Sequence, residues 1–119
     1  MGTTIMDWNS YLDDMKGNLR EMHKSAPETM KGFGALEKGV TSGTATDHKT
    51  KELVALGIAI GLRCEPCIGF HVKALAKAGG TREELCDILG VAVQMGGGPA
   101  LMYASKTLAA WDQLVTEQA

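Results

Sequence analysis

The apolar residues of the chain are spaced as in α-helices. In the first predicted helix, about residues 6–24, they follow one another at steps of three and four, which places them on one face of a helix. The residues of this apolar stripe are Trp8, Tyr11, Leu12, Met15, Leu19 and Met22. Alternating runs of β-branched and aromatic residues, which would indicate strands, do not extend beyond about four residues. The pattern therefore predicts an all-α protein.

Signals for helix starts and ends divide the first half of the chain. Ser25 and Glu28 have the spacing of a capping box and predict the start of a short second helix. The stretch 39–46 is rich in Gly, Ser and Thr and predicts a loop. A third helix, apolar on most sides, is expected to begin near Thr46 or Asp47 and to end at a break at 61–63.

The second half of the chain carries similar signals for helix starts and ends. A helix is predicted over about 64–78, and Gly79–Gly80 supplies the left-handed position that commonly ends a helix. A capping box at the start of 81–95 opens the next helix. The run 96–99, three glycines and a proline, predicts another break, followed by a last helix over about 99–117. The sum is a single domain, residues 1–119, of five or six helices.

Length and composition agree with one globular domain and exclude several functions. The chain has 119 residues, 45% of them hydrophobic and 22% charged, with a net charge of −2. Without a basic surplus, nucleic acid is not an expected partner. The longest apolar stretches, such as 53–62, are too short to span a bilayer, so a membrane is not expected either.

The three cysteines, Cys64, Cys67 and Cys86, introduce the candidate chemistry. The N-terminus lacks the basic and apolar regions of a secretory signal, so a reducing compartment, the cytoplasm, is expected. In such a compartment a C-x-x-C pair more often binds metal or performs redox chemistry than stabilises a fold. Cys86 has the spacing of a small buried residue, and we expect it to be structural.

The paired cysteines belong to a C-x-x-C-x-x-x-H motif formed by Cys64, Cys67 and His71. On a helix these residues share one face. If the helix starts near Cys64, both sulfurs lie in its first turn, where unpaired N–H groups and the helix dipole stabilise a thiolate. A break at 61–63 would let the preceding helix fold back, so that Glu52 could face His71 or a thiol and move a proton. Glu52 could alternatively pair with a neighbouring lysine on the helix surface.

With these residues the chain resembles the carboxymuconolactone decarboxylase superfamily, and within it the alkylhydroperoxidase D-like branch. The resemblance covers about residues 47–115. It is carried by 51–56, the C-x-x-C-x-x-x-H motif, 78–84 and 95–99. It implies an all-helical fold that assembles into homo-oligomers, as trimers or hexamers.

The resemblance also implies an activity, the thiol-dependent reduction of hydrogen peroxide or organic hydroperoxides, with roles for individual residues. By motif position, Cys67 attacks the peroxide, Cys64 resolves the product as a disulfide, and His71 and Glu52 form a proton relay. No cofactor or metal is implied, but an external dithiol or protein reductant is. Some family members have a histidine between the cysteines, where this chain has Glu65 and Pro66.

Other interpretations of the same residues remain open. A metal site would need a fourth ligand beside Cys64, Cys67 and His71, for which Glu52, His48 or Cys86 are candidates. A lyase acting on a lactone acid would follow the superfamily's name, although the decarboxylase branch typically lacks the cysteine pair. A thiol redox sensor without turnover is the third alternative. His48 itself is expected to face solvent and is given no role.

Overall fold

A computed structural model describes residues 6–115, and they form five α-helices. The helices are α1 (Trp8–Ser25), α2 (Pro27–Ser42), α3 (His48–Leu62), α4 (Glu65–Lys77) and α5 (Arg82–Leu114). Every regular element in this range is a helix. The prediction of an all-α single domain of five or six helices is confirmed, with five.

The core lies between α3, α4 and α5, which pack against one another, and α1 covers one side of it. Each central helix contributes fully buried aliphatic residues: Leu56 and Ile60 from α3, Ile68, Val72 and Leu75 from α4, and Leu85 from α5. Trp8 and Leu12 of α1 are equally buried. The backbone N–H of Trp8 donates to Oε1 of Gln113, 2.8 Å away, which joins the start of α1 to the end of α5. By contrast, α2 has no buried residue.

A tight reversal separates α3 from α4 at the predicted break. Arg63 follows α3 in the left-handed conformation, with φ 58° and ψ 39°. The N–H groups of Arg63 and Cys64 donate back to the carbonyls of Ile60 and Ala59, at 3.1 and 3.0 Å. These bonds satisfy carbonyls that a helix end leaves unpaired. The chain therefore turns back at once, and α4 packs against α3.

Three of the predicted helix boundaries are confirmed in atomic detail. Asp47 caps α3 by accepting the N–H of Thr50 at 2.8 Å. Thr81 and Glu84 form the reciprocal capping box at the start of α5. Gly79 has a φ of 89°, and the next residue donates its N–H to the carbonyl of Leu75 at 2.8 Å. Glycine is favoured there because a side chain disfavours positive φ.

The second helix starts where it was predicted, with Pro27 in its first turn, but the predicted capping box is wrong. Ser25 is the last residue of α1, and its hydroxyl donates to Glu21 rather than capping the next helix. The N-cap of α2 is Ala26, whose methyl side chain cannot accept a hydrogen bond. Pro27 still occupies the first turn, where its missing N–H costs nothing.

The loop predicted over 39–46 is also shorter than expected, because α2 continues to Ser42. The hydroxyls of Thr41 and Ser42 donate to the carbonyls of Lys38 and Gly39, at 2.8 and 2.7 Å. Side-chain hydroxyls can thus satisfy carbonyls of a last turn, a possibility that composition alone does not reveal.

The predicted break at 96–99 is present as a kink within α5. Gly97 has φ 71° and ψ −149°, a conformation outside the helical region, and Pro99 follows it. Helical geometry resumes beyond the kink without an intervening loop. The helix ends at Leu114, and residue 117, the predicted end, lies outside the described residues.

By length and composition α5 is apolar enough to cross a membrane. The sequence has no Asp, Glu, Lys or Arg from residue 88 to 105, a run longer than the apolar stretch 53–62. The kink interrupts this run, and α5 buries Leu85, Leu89 and Trp111 in the core with α3 and α4. That the protein has no membrane partner stays a prediction.

Because α1 packs closely against α4 at Gly69, alanine substitutions at two glycines should have opposite effects on stability. A Cβ on Gly69 would lie 2.7 Å from a methyl carbon of the fully buried Leu12, whereas a Cβ on Gly34 of α2 would meet no atom within 4 Å. We expect Gly69→Ala to lower the free energy of unfolding by about 1–3 kcal/mol through overpacking. Gly34→Ala should raise it by roughly 0.5–1 kcal/mol, since alanine loses less entropy in a helix. Urea unfolding measures both free energies, and a Gly69→Ala protein as stable as the wild type would contradict the close contact between Gly69 and Leu12.

Candidate active site

The two cysteines of the motif lie at the N-terminus of α4. Cys64 is the N-cap, and its Sγ accepts the N–H of Cys67 at 3.3 Å. The two are joined as a disulfide, with their Cα atoms 5.2 Å apart. Both residues are half-buried. The first turn of a helix stabilises negative charge on sulfur, so the position suits a pair that cycles between disulfide and thiolate.

His71 and Glu52 meet across the contact between α4 and α3. Nδ1 of His71 lies 2.6 Å from Oε1 of Glu52. The residue Glu52 is only 9% exposed, so its carboxylate needs such a partner. With Nδ1 bound to the carboxylate, Nε2 is the ring nitrogen left to exchange a proton with another group. The fold-back inferred from the break at 61–63 thus brings these two residues together.

A pocket of about 330 Å³ contains this pair and Cys67. Its walls come from three helices: Val40 and Thr41 of α2, Ala55, Ile58 and Leu62 of α3, and Cys67 and His71 of α4. Most of these walls are apolar. A small molecule entering the pocket would reach a sulfur atom and an imidazole together.

The lysines beside Glu52 in the sequence are engaged elsewhere. Lys49 binds the carboxylate of Glu84 at 2.8 Å, and this hydrogen bond is the main reason why the pKa of Glu84 lies below its usual value. Lys51 donates to two carbonyls at the end of α2, those of Val40 and Gly43. The alternative that Glu52 is a surface charge paired with a lysine is therefore not what the structure contains.

Glu65, which stands where some relatives have a histidine, forms an ion pair with Lys106 of α5. Lys106 also lies 5.4 Å from the centre of the Tyr103 ring. Burial, and then the charge of Glu65, raise the pKa of Tyr11 on α1. The negative charge next to Cys64 is thus balanced by a lysine held against an aromatic ring.

Two further residues differ from the expectations drawn from the sequence. Cys86 is exposed and unbonded, so its predicted burial is wrong. The core positions of that turn are Leu85 and Leu89, and Cys86 lies outside the stripe that they define. His48 is exposed as predicted, yet its Nε2 lies 3.5 Å from Oε2 of Glu52. The signal for this contact was the spacing of four residues along one helix.

The metal alternative has no support in the geometry of residues 6–115. Within that range no three His, Cys, Asp or Glu side chains are grouped so that they could hold a metal ion.

Comparison with known proteins gives a consistent assignment. Residues 27–110 match the model of the carboxymuconolactone decarboxylase family. An uncharacterised protein of Cupriavidus necator is 34% identical over 108 residues, which is 85% of this chain and 96% of the relative. An uncharacterised protein from the cox locus of Paracoccus denitrificans is 34% identical over 81% of this chain and 86% of its own length.

Two solved structures share the fold. The apo form of a carboxymuconolactone decarboxylase family protein from Legionella pneumophila has a TM-score of 0.85 and 44% identity, covering 89% of this chain and 95% of that one. A family protein from Thermotoga maritima has a TM-score of 0.78 and 25% identity, covering 89% and 91%. Involvement in an antioxidative response has been suggested for the Thermotoga protein.

The numbers of free and disulfide-bonded cysteines can be measured by alkylation. In air-oxidised protein we expect iodoacetamide to modify one thiol per chain, that of Cys86, because Cys64 and Cys67 are joined. After reduction with dithiothreitol, three thiols should react under denaturing conditions. Mass spectrometry of intact protein gives the counts, and Cys86→Ser, which should give none and two, is the control. Three reactive thiols in the oxidised protein would contradict the pairing.

Proposed function

Because the chain belongs to the carboxymuconolactone decarboxylase family and sets a cysteine pair beside a histidine–carboxylate pair, we propose that it is a thiol-dependent peroxidase of the alkylhydroperoxidase D-like branch. Its substrates are hydrogen peroxide or organic hydroperoxides. The observation that carries the proposal is the pocket in which Cys67 lies with the hydrogen-bonded His71 and Glu52. The antioxidative response suggested for the Thermotoga maritima relative agrees with it.

The reaction begins with the reduced pair. His71 takes the proton of the Cys67 thiol, and the thiolate attacks one oxygen of the peroxide. The O–O bond breaks, Cys67 becomes a sulfenic acid, and the departing oxygen leaves as water or an alcohol after taking a proton from His71. Cys64 then attacks the sulfenic sulfur, water leaves, and the Cys64–Cys67 disulfide forms. An external dithiol or protein reductant returns two electrons to open it.

The positions of the sulfurs support this division of roles. Cys67 lines the pocket together with His71, one helical turn along α4. Cys64 sits at the helix cap, where it is close enough to Cys67 to close the disulfide. Glu52 orients the imidazole through Nδ1 and leaves Nε2 for the chemistry. A reducing compartment such as the cytoplasm would supply the reductant.

Steady-state peroxide consumption with dithiothreitol as reductant tests the proposal. Cys67→Ser should reduce the rate to that of the uncatalysed reaction, because no thiolate is left to attack. In a separate measurement without reductant, pre-reduced Cys64→Ser should consume one equivalent of peroxide and stop at a Cys67 sulfenic acid, which dimedone traps. Cys86→Ser is the matched control and should keep the wild-type rate, since Cys86 lies outside the pocket.

Either of two outcomes would replace the peroxidase with another function. Oxidation of the pair without turnover by the wild type would identify a redox sensor or a disulfide-exchange protein. Turnover of a lactone acid that survives the loss of both thiols would identify a lyase instead.

We also propose that the chain assembles with copies of itself into a trimer or hexamer. Several apolar side chains of α3 and α5 are more than half exposed although they lie next to one another along a groove: Val54, Ile58, Val91 and Met95. Phe33, Leu36 and Val40 form a second exposed apolar stripe on α2. Exposed apolar surface of this kind marks interfaces, and identical chains associate with closed symmetry.

Light scattering should therefore give a mass of three or six chains of 12.6 kDa. Val91→Glu, which places a charge in the groove, should lower the mass, whereas Lys73→Glu on the exposed side of α4 should not. A wild-type mass of one chain would contradict the assembly.

A further inference from the structure

The carboxylate of Glu52 contacts two imidazoles, one with each oxygen. Oε1 lies 2.6 Å from Nδ1 of His71, and Oε2 lies 3.5 Å from Nε2 of His48. His71 comes from α4, while His48 lies one turn before Glu52 on α3. The three side chains therefore contact one another in the order His71, Glu52, His48. Of the three, only His71 lies on the helix that carries the cysteines.

The charges around Glu52 make this arrangement a chain of titratable groups. Within residues 6–115, the ion pairs of Glu52 are with His71 and His48, each charged only when protonated. Lys49 and Lys51, the nearest permanent cations in the sequence, are bound to Glu84 and to the end of α2. Within that range no lysine or arginine forms an ion pair with Glu52, so its neighbours of opposite polarity are the two imidazoles.

The two imidazoles are more exposed than the carboxylate between them, and His48 is the more exposed of the two. The side chain of Glu52 is 12% exposed, that of His71 37% and that of His48 58%. His48 is therefore the member that water reaches most easily. Imidazole is also the side chain suited to exchanging protons with water near neutral pH.

We propose that His48 is a positioning residue through which the Glu52–His71 pair exchanges protons with solvent. His48 lines the same pocket as Cys67 and His71, and the role proposed for it acts through Glu52. Its Nε2 lies 3.5 Å from Oε2, and its exposed ring takes up and releases protons. The inference rests on the peroxidase or disulfide chemistry proposed above, because only that chemistry makes the pair cycle.

The need for such an exchange arises when the disulfide is reduced. One thiolate of a dithiol reductant attacks a sulfur of the disulfide, and a cysteine thiolate leaves and takes a proton. The second reductant thiolate displaces the other cysteine, which also takes a proton, and the reductant departs as its own disulfide. Two electrons come from the reductant, whose own thiol protons have gone to solvent. The protons bound by Cys64 and Cys67 must then come back from solvent.

The three side chains offer a path for these protons. A proton on Nε2 of His48 passes to Oε2 of Glu52, and the carboxyl group turns about its last bond and presents the proton to Nδ1 of His71. The opposite nitrogen of His71, Nε2, then releases a proton to the thiolate.

The test compares His48→Ala with the wild type and with His23→Ala, a matched change at an exposed histidine of α1. The first measurement is the rate at which dithiothreitol opens the Cys64–Cys67 disulfide, which requires no peroxide. We expect His48→Ala to slow this step about tenfold, less than the loss of a directly acting acid or base. Free imidazole in the buffer should restore the rate, while His23→Ala should match the wild type with or without imidazole.

A second measurement separates this inference from the proposed function. In peroxide turnover, His48→Ala should lower kcat by a similar factor and leave the KM for peroxide unchanged. If the wild type opens its disulfide but never consumes peroxide, the peroxidase proposal fails while the first measurement still decides the role of His48. A His48→Ala protein that opens its disulfide at the wild-type rate would overturn the inference. So would a slow variant that imidazole does not restore but His48→Gln does, because glutamine can hold Oε2 without exchanging protons.

Discussion

The reversal of the chain at Arg63 and Cys64 is the constraint on which the site depends. It ends α3, begins α4 and sets the two helices against each other within two residues. Arg63 adopts a left-handed conformation that costs a non-glycine residue about 1–2 kcal/mol. Two backbone hydrogen bonds from the turn to the end of α3 offset this cost. The same turn provides the helix N-terminus that carries the cysteines.

Packing of α4 against α3 divides α4 into two faces with different tasks. Ile68, Val72 and Leu75 enter the core, while Cys67 and His71 line the pocket. The core face fixes the rotation of the helix about its axis, and this rotation aims the imidazole at Glu52. Because the carboxylate is buried, the bond to His71 is needed for stability as well as for chemistry: an unpaired buried carboxylate would cost several kcal/mol. The fold and the candidate site therefore depend on the same contact.

The other three helices contribute unequally to the core. α1 and α5 complete the core and are joined at their ends by Trp8 and Gln113. α2 buries nothing, yet it supplies one wall of the pocket and is joined to α3 by the bonds that Lys51 donates to its last carbonyls. The pocket thus has two walls fixed by the core and a third held mainly by polar contacts. The exposed apolar side chains of α2, α3 and α5 are the part of the molecule that one chain does not cover.

The sequence by itself determined the features that depend on local rules. Several features follow from neighbours three or four residues apart and were predicted correctly: the helical spacing, the start of α3 near Asp47, the capping box at Thr81, the left-handed Gly79 and the position of the cysteines at the start of α4. The spacing from Cys64 to His71 also favoured redox chemistry, because it places two thiols and an imidazole on one face of a helix wherever that helix lies in the fold.

Tertiary structure decided whatever depended on more distant residues. Ser25 had the right spacing for a cap but became the end of α1, and Cys86 had a plausible core spacing but lies outside the stripe of Leu85 and Leu89. Whether Glu52 would pair with a lysine or with His71 could not be decided along one helix. The neighbouring lysines bind Glu84 and the end of α2 instead, and these partners come from elsewhere in the chain. The spacing of four residues places His48 near Glu52, but only the structure shows that this carboxylate is buried and bound to His71 of α4. Local order is encoded in short-range spacing, whereas burial and ion pairing are settled by which helix faces meet.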